Sequence, residues 1–406
     1  MNKTLIACLI TLAFSSAQAG TMLPPGVADQ SPSQLMAAPL PEGQFERQPV
    51  AVAWAMDPAA ALAADPPYLA QSREYWSAVD AGELKSGFAL TTTAPGALVR
   101  ISPRDHAKSG TVNPGEVRLL RAGQPLAASA FKRLATAGEL KQAGMDVPEG
   151  SVIVQLDDAI GQGRFELQLT KASGRYLVHV FEPRSDLVLK AQADRSRLLA
   201  GDTIEVAASL QQGKSMLAGG VMQAQLVSPS GQSWPMEFAN GKATGQLPLD
   251  ADPTPGLWEV QLFAGATSKD GPVQRDARTA IEVSRPTARL GGDYGFDPGA
   301  MKFSLPVQVA APGRYELRGV LYATSASGEV LPVALAHSAN WLEAGERKLD
   351  LAFGPGNVPV GFGAPFELRF LELKDQTRMG TLETRELALR EAARRPGSRG
   401  DVRHER

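Results

Sequence analysis

The sequence has almost no cysteine, and this absence removes several kinds of chemistry. Among its 406 residues only Cys8 is a cysteine, and it lies in an N-terminal stretch with the features of a secretory signal. A chain that loses this stretch has no disulfide, no thiolate nucleophile and no metal site with cysteine ligands. Its domains must therefore be stable through their hydrophobic cores alone.

A charge excess of one sign and long apolar runs are also missing. The chain has 41 Lys and Arg against 43 Asp and Glu, a formal net charge of −2, so no broad basic field favours nucleic acid. No stretch after the N-terminal segment has the roughly 20 apolar residues that a membrane helix needs. We therefore expect neither a nucleic-acid partner nor a membrane span.

Residues 1–19 predict export as a cleaved signal peptide. Lys3 gives a positive start, Leu5–Phe14 is a short apolar run, and Ala17-Gln18-Ala19 is an A-x-A cleavage site directly before Gly20. The mature protein is then expected in the periplasm or outside the cell, and the sequence does not distinguish these two places.

A lipoprotein signal is the alternative, because Leu5-Ile6-Ala7-Cys8 resembles a lipobox. However, Cys8 lies before most of the apolar run that it should follow. We therefore favour cleavage after Ala19.

The remaining composition favours β-structure. Forty glycines and 30 prolines favour short strands and turns over long helices. From about residue 88, apolar and polar side chains alternate as in half-buried strands. A unit of glycine, any residue, an aromatic residue, any residue and an aliphatic one begins at Gly163, Gly174, Gly256 and Gly313. In each unit the glycine ends a turn and the aromatic side chain anchors a strand in the core.

The clearest strand pattern begins at Asp186. About seven short strands fit into roughly 100 residues there, which is typical of an immunoglobulin-like sandwich, and Asn240-Gly241 predicts a two-residue hairpin turn. The alternation is also present before Pro183 and returns after Pro286. The predicted fold class is all-β, with three tandem immunoglobulin-like β-sandwich domains preceded by a Pro-rich segment and a short helix.

Segments that contain proline mark the predicted boundaries. The segment before residue 65 is expected to be a linker or a strap across the first β domain, and the short helix is predicted over 68–84, with Trp76 packed on the next domain. The predicted parts are a signal peptide (1–19), the Pro-rich segment with the helix (20–87), a first β-sandwich domain (88–185), two immunoglobulin-like domains (186–285 and 286–389) and a disordered tail (390–406).

Motifs for catalysis are absent from the sequence. It contains no G-x-S-x-G, H-E-x-x-H or C-x-x-C motif and no phosphate- or dinucleotide-binding loop. Of the four histidines, His179 is predicted to face solvent and His404 lies in the tail. His106 and His337 would meet only through domain packing. We therefore expect no catalytic residue and no cofactor.

Calcium is the metal that the oxygen-rich turns of this chain favour most. The candidate ligands are Asp250, Asp252, Asp293 and Asp297. These aspartates also lie among Gly and Pro residues, where turn formation alone explains them. The prediction is therefore no metal, with these four positions as the places to look for calcium.

Two tryptophans are candidate ligand-contacting residues. Trp234 precedes Pro235, and Trp341 is predicted to lie in a turn, so both are expected at the surface. The remaining tryptophans are expected to anchor cores. They are Trp54, Trp76 and Trp258.

One stretch of the chain resembles a known family. Glu74-Tyr75-Trp76, Glu83-Leu84, Gly87 and Thr91–Ile101 resemble the start of exported bacterial proteins known as domain of unknown function 4785. The resemblance implies a leading segment followed by immunoglobulin-like domains over most of the mature chain, and some relatives leave the cell by type II secretion. The family has no established activity, so no catalytic residue is carried over.

These observations predict an exported, non-enzymatic binding or adhesion protein for a protein or glycan, with type II secretion as its route. One alternative is a secreted enzyme, or an enzyme's accessory protein, with a site at a domain junction. Another is a periplasmic scaffold or chaperone. A junction pocket that holds His106 or His337 with a carboxylate would favour the enzyme, and a long unpaired edge in the first β domain would favour the chaperone. The ligand and the oligomeric state are not determined by the sequence.

Overall fold

The computed structural model describes residues 18–63, 66–105, 108–217, 221–250, 254–268 and 271–392. Residues 1–17 of the predicted signal, His106, Asp252 and the tail from residue 393 onward, with His404, lie outside this part. Strands predominate in the described part, which confirms the predicted all-β class.

The regular elements are short strands with very little helix. The first strands are β1 (Gln18–Thr21), β2 (Val50–Ala55), β3 (Leu69–Ser72), β4 (Glu74–Asp80), β5 (Phe88–Thr92), β6 (Leu98–Pro103), β7 (Val117–Arg121), β8 (Gln124–Pro125), β9 (Phe131–Thr136), β10 (Val152–Leu156), β11 (Gly163–Leu169), β12 (Arg175–Phe181), β13 (Leu187–Ala193), β14 (Arg197–Leu199) and β15 (Thr203–Gln212). The later strands are β16 (Ser215–Met216), β17 (Val221–Val227), β18 (Ser233–Ala239), β19 (Lys242–Gln246), β20 (Trp258–Ser268), β21 (Gly271–Ser284), β22 (Ala288–Leu290), β23 (Asp293–Asp297), β24 (Lys302–Val309), β25 (Gly313–Ser325), β26 (Val330–Leu342), β27 (Gly345–Ala352), β28 (Phe362–Asp375) and β29 (Gly380–Glu391). The helices of the described part are α1 (Ala81–Ser86) and α2 (Ala137–Gln142), with short 3-10 turns at Pro114–Glu116, Ala128–Ala130, Asp158–Ile160 and Pro355–Asn357.

The described residues form two compact units. The first contains those of the N-terminal segment up to residue 65, residues 197–200 and the chain from residue 283 onward. The second contains those of residues 66–196 and 201–282.

In the second unit, two sheets formed by β4–β12 (Glu74–Phe181), the first β region, enclose one core. One sheet has the order β4-β12-β6-β10-β9 and the other the order β5-β11-β7-β8, with antiparallel neighbours throughout. Alternate side chains of each strand point into this core, as the period of two requires. The predicted anchors Phe165 and Tyr176 are both completely buried there.

The other strands of the second unit follow the order β21-β20-β17-β18-β19-β15-β13-β3. Strand β18 turns a corner, because Ser233–Met236 pair with β17 and Glu237–Ala239 pair with β19. Asn240 and Gly241 both have positive φ between β18 and β19, which is the geometry of the hairpin turn that the sequence predicted. The third anchor, Trp258, is 2% exposed.

The first unit is a sandwich to which the N-terminal segment contributes two strands. Its sheets have the orders β1-β23-β24-β22, with β27 also paired to β24, and β2-β26-β25-β28-β29. The fourth anchor, Tyr315, lies in their shared core beside Phe303 and Phe353. The expectation of a strap across the first β domain was therefore wrong. A segment without periodicity gives no signal of which sheet its strands will join.

The predicted helix over 68–84 was also wrong over most of its length. Tyr75 and Val79 are buried on the inner face of β4, and this strand pairs with β12 along its whole length. Helix begins only at Ala81, where the Asp80 N–H donates to Glu83 Oε2 at 2.9 Å, as in a capping box. The buried residues Tyr75 and Val79 lie on the same face as Ser77 between them. Side chains on one face at every second residue are typical of a strand, not of a helix.

A buried arginine on β21 joins the first β region to the other strands of the second unit. The Arg275 Nη2 atom donates to Glu182 Oε2 at 2.6 Å, Thr93 Oγ1 at 2.7 Å and Ser185 Oγ at 2.9 Å, and its Nε donates to the Leu187 carbonyl at 3.0 Å. The side chains of Arg275 and Glu182 are completely buried. Such a pair is tolerated in a dry interior only when its hydrogen bonds are satisfied.

We expect Arg275→Met to lower the free energy of unfolding by about 3–5 kcal/mol, because Glu182 would stay buried without its cation. The matched control Arg278→Met, on the same strand but exposed, should change it by no more than about 0.5 kcal/mol. The double variant Arg275→Met with Glu182→Met should lose less than the single one. Urea unfolding measures all three, and an equal loss in the single variant and the control would contradict this role of the pair.

Candidate functional site

On the first unit, a histidine contacts a glutamate and a tryptophan. His337 Nδ1 lies 2.8 Å from Glu316 Oε1, and the rings of His337 and Trp54 meet edge to face with 5.5 Å between centroids. Register places Val52 opposite His337, so Trp54 is its diagonal neighbour. Glu316 also accepts a hydrogen bond from Gln376 Nε2 at 2.6 Å. The histidine is thus held in one orientation by neighbouring strands.

Strand β2 presents a row of apolar side chains beside this histidine. Val50, Val52 and Trp54 alternate along the strand and are 46%, 42% and 51% exposed. β2 is also the terminal strand in the order of its sheet, so one backbone edge faces away from the sheet. The expectation that Trp54 is a core anchor was wrong. Its neighbours Ala53 and Ala55 are too small to show which face of the strand is buried.

The segment before β2 is held on the sandwich by arginine contacts. Arg314 Nη1 donates to the carbonyl of Gln48 at 2.7 Å and to that of Glu46 at 3.1 Å. The Arg47 guanidinium lies 4.1 Å from the ring centroid of Trp341, a cation–π contact. The predicted surface residue Trp341 lies at the end of β26 instead of in a turn, and is half-buried. These contacts fix the position of β2.

A second histidine cluster lies on the second unit. The rings of Trp76 and His179 stack with 3.8 Å between centroids and 11° between planes, and His179 Nε2 lies 2.8 Å from Glu74 Oε2. This hydrogen bond lowers the pKa of Glu74. Arg100 lies 4.8 Å from the Trp76 ring, and burial lowers its pKa. His179, predicted to face solvent, is only 16% exposed. Trp76, predicted to pack on the next domain from a helix, lies instead on β4 of the same sheet, directly opposite His179.

Asp276 on β21 completes this second cluster. Its Oδ2 accepts a hydrogen bond from the backbone N–H of Trp76 at 2.7 Å, at the edge of the sheet where β4 ends the strand order. Burial raises the pKa of Asp276 to about 6, and the negative charge of Glu74 acts in the same direction. Asp276 thus holds a charge at neutral pH in an environment that disfavours it.

The four candidate calcium ligands do not come together in the part that the structure describes. Asp252 lies outside it and Asp250 is exposed. Asp293 Oδ1 accepts a hydrogen bond from Thr21 Oγ1 at 2.8 Å, and Asp297 Oδ1 accepts the N–H groups of the following turn. Asp293 and Asp297 are four residues apart in β23, about 13 Å by strand rise. No group of three His, Cys, Asp or Glu side chains that could hold a metal ion occurs among the described residues.

Trp234 directly precedes Pro235, which lines a groove of the second unit. Its ring stacks on that of Trp258 with 5.2 Å between centroids. The groove has a volume of about 440 Å³ and opens where β18 leaves β17 for β19. Its apolar lining includes Met222, Phe238 and Phe263. Trp234, predicted to lie at the surface, is instead half-buried against Trp258, and the groove has both polar and apolar lining residues.

These arrangements provide contact surfaces. The contacts described for each of the two histidines are a glutamate carboxylate and an indole ring. The part of the chain that the structure covers has no helix with the length and apolarity to cross a membrane. What the surfaces offer is hydrogen bonding, stacking and exposed apolar area.

The fold and these surfaces define a multidomain all-β sandwich protein. The family model described as "Domain of unknown function (DUF4785) N-terminal domain" matches residues 41–182, and the corresponding C-terminal domain model matches residues 287–390. The chain belongs to the DUF4785 family, as its resemblance indicated. No curated protein matches the sequence.

A solved structure of a family member has the same fold. A crystal structure of a DUF4785 family protein from Legionella pneumophila has a TM-score of 0.72 and 21% sequence identity, covering 91% of this chain and 99% of that one. Trypsin-activated alpha-2-macroglobulin from Escherichia coli has a TM-score of 0.20 and 14% identity, covering 69% of this chain and 21% of that one. The FN1–FN3 domains of chicken CNTN1 have a TM-score of 0.21 and 11% identity, covering 76% and 99%.

We expect Asp276 to make the second unit less stable as pH rises. A carboxyl whose folded pKa exceeds its unfolded value adds most stability below the unfolded value, and this is lost as pH rises through about 6. Asp276→Asn should therefore be more stable than the unaltered protein at pH 7.5, by about 1–2 kcal/mol after allowance for partial exposure, and the difference should vanish near pH 4. Urea unfolding between pH 4 and 7.5 tests this. The exposed control Asp250→Asn should show no such trend, and parallel curves for both variants would contradict it.

Proposed function

We propose that the protein is exported and binds a protein partner without catalysis, by adding an extended segment of that partner along β2. The observation that carries the proposal is the exposed apolar row Val50, Val52 and Trp54 on a terminal strand. Soluble proteins usually protect such edges with charge, proline or a bulge. β2 has none of these in its sequence VAVAWA.

The shape of this surface favours an extended peptide over other ligands. A strand added to an edge gains affinity from main-chain hydrogen bonds and specificity from side chains at every second position. The exposed side chains of β2 have that spacing, which is about 7 Å between alternate residues. The Glu316–His337 pair beside them supplies polar contacts at the margin of the apolar row.

The chaperone and enzyme alternatives receive less support from the described contacts. A chaperone was expected to expose a long edge in the first β domain, and at one such edge the Trp76 N–H of terminal strand β4 is bound by Asp276. The enzyme alternative expected His106 or His337 with a carboxylate in a pocket at a domain junction, and His106 lies outside the described residues. The His337–Glu316 pair lies on the face of one sheet, with Trp54 as its other contact.

Export is supported by the signal features of residues 1–19, and type II secretion is the route proposed from the family resemblance. The mature protein, purified from the source cells or their medium, should begin at Gly20. N-terminal sequencing and intact mass measure this. A different first residue, or a lipid on Cys8, would contradict cleavage after Ala19.

The binding surface can be tested with a photo-crosslinking amino acid. A crosslinker at position 54 should give a discrete protein adduct in the cell envelope or medium. The same crosslinker at Val360, an exposed valine of the same unit, should give none. Val52→Lys should reduce the adduct about tenfold, because a lysine on the edge opposes strand addition.

The matched control for that substitution is Val360→Lys, which should leave the adduct from position 54 unchanged. Thermal unfolding should show that both lysine variants are folded. The proposal is wrong if position 54 gives no adduct or if the adduct survives Val52→Lys.

A further inference from the structure

The residues just after the predicted cleavage site are built into the first unit. Strand β1 pairs with β23, with Gly20 opposite Tyr294 and Thr21 opposite Asp293. Met22 is 8% exposed within the core. The Met22 N–H donates to the Gly292 carbonyl at 2.7 Å, which continues the pairing beyond β1. A chain that begins at Gly20 therefore begins inside a sheet.

Gly20 lies against a tyrosine that is already bound to a carboxylate. A β-carbon on residue 20 would lie 2.6 Å from the Tyr294 hydroxyl oxygen, so only glycine fits without a shift of the ring. The Gly20 Cα is therefore within about 4 Å of that oxygen. The Tyr294 hydroxyl donates to Glu391 Oε2 at 2.8 Å. Burial, together with this hydrogen bond, raises the pKa of Tyr294.

Cleavage would change the chemistry of Gly20 at this place. Hydrolysis of the Ala19–Gly20 peptide bond consumes one water, leaves a carboxylate on Ala19 and converts the neutral Gly20 amide into an α-ammonium. That group carries a positive charge and three N–H donors. Glu391 is an acceptor-only carboxylate, and the Tyr294 hydroxyl has lone pairs left to accept.

We propose that Tyr294 and Glu391 form a receiving site for the α-ammonium that cleavage creates on Gly20, so that processing joins the first residue of the mature chain to the end of β29. The inference rests on the export part of the proposed function. The pairing of Gly20 and Thr21 with Tyr294 and Asp293 keeps the first residues of the mature chain next to these groups.

The other charged groups near Gly20 and Tyr294 are already bound elsewhere, so they are not expected to bind the α-ammonium. Asp293 is bound to the Thr21 hydroxyl. The Arg390 guanidinium donates to Glu367 Oε1 at 2.9 Å, while the Arg390 carbonyl lies 3.4 Å from the Tyr294 hydroxyl. Glu391 is therefore the carboxylate that the tyrosine connects to Gly20.

The test uses recombinant chains made without a leader, one beginning at Gly20 and one at Gln18, each with and without Glu391→Gln. In the Gly20 chain, the pKa of the α-ammonium, followed by NMR after ¹³C-dimethylation, should fall by about half a unit or more with Glu391→Gln. The melting temperature should fall by about 2 °C or more with the same substitution. In the Gln18 chain, where residue 20 is a neutral amide, Glu391→Gln should have a clearly smaller effect.

Glu386→Gln is the matched control, because Glu386 lies exposed on the same strand; it should change neither quantity. An equal loss in melting temperature in both chains, or an α-ammonium pKa insensitive to Glu391→Gln, would overturn the receiving site. These chains do not depend on export. Sequencing of the native protein tests the cleavage position separately, so the two failures are distinguishable.

Discussion

The guanidinium of Arg275 is completely buried in the second unit. Its N–H groups all need hydrogen-bond acceptors there, and residues from different parts of the unit supply them. Its N–H groups reach Glu182, Thr93 and Ser185, which come from separate parts of the first β region. Because adjacent residues of a strand point to opposite faces, fixing Arg275 inward also fixes Asp276 outward. Asp276 then meets the Trp76 N–H and brings a carboxylate to the stacked Trp76 and His179 rings. The strand that carries the fully buried Arg275 thus also brings Asp276 to the half-buried histidine cluster.

Much of the fold follows from alternation in the sequence, because burial of one strand face is a local property. Phe165, Tyr176, Trp258 and Tyr315 are buried as their spacing predicted. The segment over 68–84 was misread because Leu69, Trp76 and Val79 also fit a helical face, and only pairing with β12 decides between the two periods. The sheets that β1 and β2 join are fixed by contacts far away in sequence, so local pattern could not predict them.

The candidate sites were predictable only in part, since they depend on register. Glu74 and His179 are 105 residues apart, and Glu316 and His337 are 21 apart. Their contact needs strands that are neighbours in space and residues that face the same side. Histidine and glutamate in a strand are no sign of such a pair by themselves. For Trp54, the useful signal was the apolar run Val50–Ala55, in which larger side chains alternate with alanine. The rest of the segment has no such pattern, and linkers rarely contain one.

The N-terminal segment explains both the stability and the exposure of the first unit. It supplies a terminal strand to each of the two sheets, so the sandwich is incomplete until β1 has paired with β23 and β2 with β26, strands far from them in the sequence. Loop closure over such a distance is slow relative to local pairing. During that time the strands that later pair with β1 and β2 present open edges. Once β2 has paired with β26, it becomes the edge itself. Its apolar side chains Val50, Val52 and Trp54 stay exposed because they point away from the core of the sandwich. An added strand would cover both these side chains and the open backbone edge, so a partner strand is the simplest ligand for β2.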